Sequence, residues 1–295
     1  MFLACPFLSY SQNKKFDKLI KKYDVSLYVK NITERNPALF WEAVVSNNEG
    51  FWDYSKAIKK KKRTALDATD VVVKSLGMTQ LYRSTLPVVD SLQFIADTLI
   101  NNLGICALYE NAQMRIVYDD EKNAATYPDG FIYVYTPVIF DLTSEQTLGV
   151  CAHEAAHLLL YHVFLNAYAE QKKLKRNNTI ASIVASANAF TQAFEHARGT
   201  ENSTQKENSD IVERLFDAAE KDAKKYRYKY SREEEIEADI IAYRFLEFMG
   251  IDGRNYINAL KELGYDDYEY SDDEDTHPTV KFRVDLLEYL SNRVD

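Results

Sequence analysis

The stretch CAHEAAHLLLYH, residues 151–162, places two histidines four apart with a glutamate directly after the first. On a helix each residue advances by about 100°, so His157 lies about 40° round from His153 and one turn further along. Two imidazoles on one face at that spacing can hold a single metal ion. Glu154 lies about 100° round from His153, where it reaches a water on the metal without being a ligand. This arrangement suits zinc-dependent hydrolysis. Zinc lowers the pKa of its water from about 15.7 to about 7, and the glutamate takes the proton and later delivers it to the leaving amine. The competing reading is a buried helix with two hydrogen-bonded histidines. Against it, the chain holds only five histidines, and two fall at this spacing with Glu where the chemistry needs it. His162 lies about 140° round from His157 on a continuous helix and is expected to point away from the site.

Two histidines do not complete a catalytic zinc site, which takes a third protein ligand and keeps one position open. No third histidine follows at the spacing of HExxHxxGxxH, which argues against that subclass. The remaining candidates are His196, His277 and a carboxylate. SREEEIEADIIAYRFLEFMG, residues 231–250, carries Glu235 and Asp239 four apart. One can bind metal, and the other can hydrogen-bond a ligand histidine and fix its tautomer. Chemistry alone leaves Glu233, Glu234, Glu235 and Glu237 open, since glutamates at a helix start also suit the helix dipole.

The wider chain sets bounds. Its 295 residues make one large domain or two small ones. A net charge of −9 argues against nucleic acid as a partner, because phosphate backbones call for a positive surface. Three cysteines, Cys5, Cys106 and Cys151, imply no disulfide framework. No run is apolar and long enough to read as a transmembrane span; the nearest, residues 179–194, is diluted by Ser, Thr, Asn and Gln. MFLACPFLSYSQ, residues 1–12, has an apolar run followed by Ser9 and Ser11 but no basic residue before it. It reads as a truncated signal-like segment and an extracytoplasmic location, with a cytoplasmic one as the alternative.

The expected fold class is mainly α with a small β-sheet. Residues 13–35 read as a short helix and a strand at VSLYV (25–29), and KAIKKKKR (56–63) as a solvated helix face. Residues 64–103 read as helical, with a break at Pro87 and Gly104 as a C-cap. Strands are expected at 114–118 and 131–135, separated by the turn-rich NAATYPDG, residues 123–130. Thr143 and Gln146 make a capping box that opens a helix over about 144–168. Residues 199–210 form a polar loop. Ser231 with Glu234 opens a second capped helix that ends at Gly250. Residues 264–276 form an acidic, solvated loop, and His277-Pro278 starts the last helix with Pro in its first turn.

At this point the sequence resembles a known family, the zinc metallopeptidases that include the HtpX membrane protease and the CAAX prenyl protease, a branch of the gluzincins. HEAAH (153–157) fits the HExxH helix, and SREEEIEAD (231–239) fits SRxxExxAD. NAATYPDGFIYVY (123–135) is similar to NAFxxPGGxIxV, and THPTVKFR (276–283) fits HPxxxxR. The match covers about 115–290. Asp129 stands where the family has the first Gly of a pair, and Ala242 where a Gly is frequent; neither change removes a ligand.

The resemblance implies a zincin-like fold with an active-site HExxH helix and an edge strand. It implies one Zn2+ per chain held by His153, His157 and Glu235, with Asp239 and Arg283 supporting the ligands. Glu154 is then the general base and acid, and His277 the candidate to stabilise the oxyanion. Gly130, Phe131, Ile132, Tyr133 and Val134 would bind substrate backbone by strand addition. Residues 105–295 would be the metallopeptidase domain, behind a mostly helical region at 13–104. The expected function is a zinc endopeptidase acting on unfolded or misassembled polypeptides in envelope quality control. The alternative is a peptidase-fold chaperone or assembly factor with little proteolysis. Many relatives span membranes, whereas this chain looks closer to the soluble, extracytoplasmic members.

Overall fold

The computed structural model describes residues 10–47, 86–110, 112–127, 130–162, 232–264 and 278–293. All of them belong to one of the two compact units into which the chain divides. The signal-like residues 1–9, the basic run 56–63, the segments 179–194 and 199–210 and most of the acidic loop lie outside the described residues. So do Ser231, Asp129 and His277. Among the described residues, no helix is long and apolar enough to cross a membrane.

Helix α1 (Tyr10–Tyr23) buries Phe16, Ile20 and Tyr23, one stripe at helical spacing. VSLYV is not a strand. Ser26–Val29 forms a single helical turn, α2, started by Asp24, whose carboxylate accepts from the Ser26 amide at 3.0 Å. That local bond offers the backbone an alternative to a sheet ladder. Helix α3 (Pro37–Asn47) begins where the Asn36 side chain accepts from the Ala38 amide, with Pro at the one position where a missing amide costs nothing. It buries Phe40, Trp41, Val44 and Val45.

After Pro87 the chain stays extended, and a 3-10 turn (Asp90–Leu92) leads into α4 (Gln93–Leu103). Gly104 ends α4 in the left-handed region at φ 66°, as its sequence position predicts. A side chain there would also stand 2.7 Å from the Pro37 ring. Nearby, the Trp41 indole donates to the Leu103 carbonyl at 2.8 Å. The loop therefore joins α3 to α4 by close backbone approach.

The sheet has three strands, β1 (Gln113–Val117), β2 (Ala124–Thr126) and β3 (Phe131–Tyr135), in the order β1-β3-β2. β1 runs parallel to β3, and β2 antiparallel to it. Two expectations are corrected here. The turn-rich 123–130 stretch contains a strand in its first half, and β3 is the central strand rather than an edge. Its backbone is engaged on both sides, so it cannot accept a further strand. On the outer side of β1, Val88 bridges Val117 and the Val89 amide donates to the Ile116 carbonyl. Bonds from Tyr127 to Phe131 and from Tyr135 to Asn123 set the alternation on β2. By that alternation the main-chain groups of Ala124 and Thr126 point away from β3. Among the described residues no strand pairs with that side.

A short helix α5 (Thr136–Phe140) follows β3 directly. Helix α6 (Ser144–Leu159) carries the HEAAH motif and opens with the expected Thr143–Gln146 capping box. Every residue from Thr147 to Leu160 is buried, so α6 is the central element and is covered all round. It ends at Leu159 rather than near 168, because Tyr161 turns into the left-handed region at φ 59°. Helix α7 (Arg232–Met249) stops at Gly250, φ 79°. Helix α8 (Arg254–Leu263) was not marked by any motif. Helix α9 (Val280–Ser291) is capped by Thr279, whose hydroxyl accepts from the Phe282 amide at 3.1 Å. Pro278 therefore precedes the cap instead of lying in the first turn.

The helices from residues 10–47 share one hydrophobic core with α6, α7, α8 and α9. A fork-shaped ion pair ties them together. Arg244 on α7 donates to both Asp24 carboxylate oxygens at 2.9 and 2.8 Å. Burial opposes the Asp24 charge, but Arg244 and the Ser26 amide hold its pKa below the usual value. The native carboxylate therefore adds stability above the unfolded pKa of about 3.9 and loses it as pH falls through the lower folded value. Asp24→Asn is expected to cost about 3 kcal/mol at neutral pH, because it leaves Arg244 half-paired in a buried place. Urea denaturation of both proteins at pH 7 and pH 3 checks this, with the gap between them narrowing at the lower pH.

Candidate metal centre

The one-turn spacing read from the sequence is realised on α6. His153 and His157 turn their Nε2 atoms to within 3.1 Å of each other. From α7, Glu235 brings one oxygen to 3.6 Å from His153 Nε2 and the other to 3.5 Å from His157 Nε2. Bonds of about 2.0–2.1 Å put neighbouring donors about 3.3 Å apart around a tetrahedral zinc. The three separations scatter about that value, and two imidazoles with one carboxylate are a donor set that zinc accepts. His153 and Glu235 are nearly buried and His157 is fully so. Among the described residues this is the group of His, Cys, Asp and Glu side chains that could hold a metal ion.

The fold selects Glu235 from the four glutamates that the sequence left open. Glu233 points outward to Lys22 and Tyr23. Glu237 lies 3.3 Å from His162. Only Glu235 is aimed at both histidines, because α7 packs against α6 along the face that carries it.

Asp239, one turn beyond Glu235, has no exposed surface. Its Oδ1 is 3.0 Å from His153 Nδ1. Arg283 on α9 grips both of its oxygens, at 2.7 and 2.6 Å. The Tyr256 hydroxyl on α8 donates to it at 2.7 Å and lies 2.9 Å from His153 Nδ1. Desolvation works against the Asp239 charge, yet Arg283 and His153 keep its pKa below normal. The carboxylate thus accepts a hydrogen bond from the His153 Nδ1–H, so that Nε2 is the ring nitrogen turned toward Glu235 and His157 and left to bind a metal. Arg283 also reaches Glu235, at 3.7 Å. These contacts support the placing of Asp239 and Arg283 beside the ligands. Tyr256 was not visible in the sequence as a site residue. Gly149, one turn before His153, admits it: a side chain there would stand 3.1 Å from the Tyr256 side chain.

Glu154 faces the other way, toward the sheet. The Thr126 hydroxyl lies 2.7 Å from its carboxylate and 2.9 Å from its main-chain carbonyl. Strand β2 therefore anchors the Glu154 side chain through Thr126. Gly130 (φ 87°) precedes β3. Of the other residues expected to meet substrate, Ile132, Tyr133 and Val134 are buried in the central strand, and Phe131 is partly buried and stacks on Tyr133. His277 and His196 lie outside the described residues. Cys151 is fully buried beside the motif, where burial pushes its thiol pKa up and keeps it protonated.

His162 departs from its expected direction. The turn at Tyr161 folds it back, so that its Nδ1 lies 3.0 Å from His157 Nδ1. Helical geometry mispredicted its direction because no glycine or proline marks the turn.

The electrostatics predict how metal uptake depends on pH. Burial disfavours a charged His153, but Asp239 and Glu235 outweigh it and raise its pKa to about 9. A metal must displace that proton at neutral pH. Zinc affinity of the metal-free protein is therefore expected to rise by about tenfold per pH unit up to about pH 9 and then level off. Competition with a chromophoric chelator across that range measures it.

Residues 90–291 match the model of the family described as Peptidase family M48. Comparison with the curated proteins finds none that matches. That match takes in most of the chain, with α6, α7 and α9 and the whole His-His-Glu group inside it. The chain belongs to Peptidase family M48 and is, at that level, a metallopeptidase.

Proposed function

We propose that the protein is a zinc-dependent endopeptidase. The observation that carries this reading is the His153–His157–Glu235 group, whose separations suit a tetrahedral zinc, with Glu154 next to a ligand and anchored by Thr126. Bound there, zinc would supply an activated water and polarise the scissile carbonyl. The chain's own residues do the rest. Glu154 accepts a proton from the attacking water and returns it to the leaving amine. Asp239, Tyr256 and Arg283 hold His153 in the tautomer that leaves Nε2 free to bind metal. His277 is assigned to the oxyanion from its place in THPTVKFR. The SREEEIEAD and THPTVKFR matches support the branch that includes the HtpX membrane protease and the CAAX prenyl protease.

β3 is enclosed between its neighbours, so strand addition at residues 130–134 is withdrawn. The substrate class is extended or unfolded polypeptide. The envelope setting rests on the signal-like residues 1–12 alone, and cell fractionation tests it.

Glu154→Gln is expected to keep about one zinc per chain and lose at least about a hundredfold in cleavage of an unfolded, fluorophore-quenched protein. Glu235→Ala is expected to lose the zinc as well. Elemental analysis and a cleavage assay on the same preparations check both. Undiminished cleavage by Glu154→Gln would overturn the mechanism. A wild type that holds zinc and binds the unfolded protein without cutting it would favour the chaperone reading.

A further inference from the structure

His162 and Glu237 take no part in the site as derived above, yet they form a second arm behind the other ligand. His157 Nδ1 and His162 Nδ1 lie 3.0 Å apart. Two ring nitrogens at that distance need one proton between them: two protons would repel, and none would leave two lone pairs in contact. Glu237 Oε2 lies 3.3 Å from His162 Nε2, so the carboxylate favours the His162 proton on Nε2. His162 Nδ1 is then an acceptor. His157 must donate from Nδ1, and its Nε2 carries the lone pair toward His153 and Glu235.

The backbone shows that the contact is built. His162 is 3% exposed, and it reaches His157 only because Tyr161 adopts φ 59°. That conformation is uncommon and unfavourable for a residue with a bulky side chain. On a continuous helix His162 would lie about 140° away from His157.

We infer that Glu237 and His162 are positioning residues for His157, fixing its tautomer and ring orientation as Asp239 does for His153. This rests on the zinc reading of the site. Each ligand histidine would then have its own support, and both supporting carboxylates come from α7.

The test measures zinc affinity by chelator competition in the full-length protein, together with the tautomer of His162 by 15N NMR in the zinc-loaded wild type. His162 protonated on Nε2 is expected, and a proton on Nδ1 overturns the inference. Glu237→Gln keeps the volume but can donate to His162 Nε2, which drives the His162 proton onto Nδ1 against His157. It is expected to weaken zinc binding by about tenfold or more. His162→Phe, with no acceptor, is expected to do the same. His162→Asn sets an oxygen where Nδ1 was and is expected to hold zinc within about threefold of the wild type, well inside the loss from an unsupported ligand. A role in packing alone predicts the opposite order, because Asn leaves the larger cavity. Wild-type affinity in both the Gln and Phe variants overturns the inference while leaving the proposed function intact. A wild type that takes up no zinc overturns both.

Discussion

A carboxylate with no exposed surface must be neutralised and hydrogen-bonded, or the fold loses several kcal/mol. Asp239 is that group, and its partners come from three other helices: His153 from α6, Tyr256 from α8 and Arg283 from α9. The four elements cannot slide past one another without stranding a charge. That constraint fixes the distance of α7 from α6, and with it the place of Glu235. It also explains Gly149, since the Tyr256 side chain needs the space beside α6. The ligand geometry is a by-product of satisfying one buried ion.

The sheet supports the centre from the other side. Its shortest strand, β2, carries Thr126, which holds Glu154 of α6. The Glu154 carboxylate is thereby held by a hydroxyl, which can donate or accept, rather than by a fixed charge.

The helices ahead of the matched region are part of the same core. Phe16, Phe40 and Trp41 are fully buried, and the aromatic rings of Phe40 and Trp41 pack on Phe245 of α7. The Asp24–Arg244 fork binds α7 to the segment before α2. Residues 10–47 thus brace the helix that supplies Glu235 and Asp239.

The sequence by itself determined the donor types, the helical spacing of His153 and His157, and the start of α6, because each depends on local geometry or a short-range hydrogen bond. The Thr143–Gln146 box and the Gly104 cap are of this kind. Residue chemistry left Glu233, Glu234, Glu235 and Glu237 open and the family resemblance pointed to Glu235; the packing of α7 on α6 is what turns Glu235 toward both histidines. Only the tertiary structure decided that β3 is central, because strand order depends on pairing between distant segments and Ala124–Thr126 resembles a turn in composition. It placed Tyr256, a residue with no motif around it, against Asp239. It also turned His162 back onto His157 at Tyr161, where a left-handed backbone carries no mark in the residue type. The chemistry was legible because it needs particular residues at helical spacing, and the family motifs carried Asp239 and Arg283; Tyr256 and His162 were not legible, because a buried partner without a motif is chosen by proximity in space.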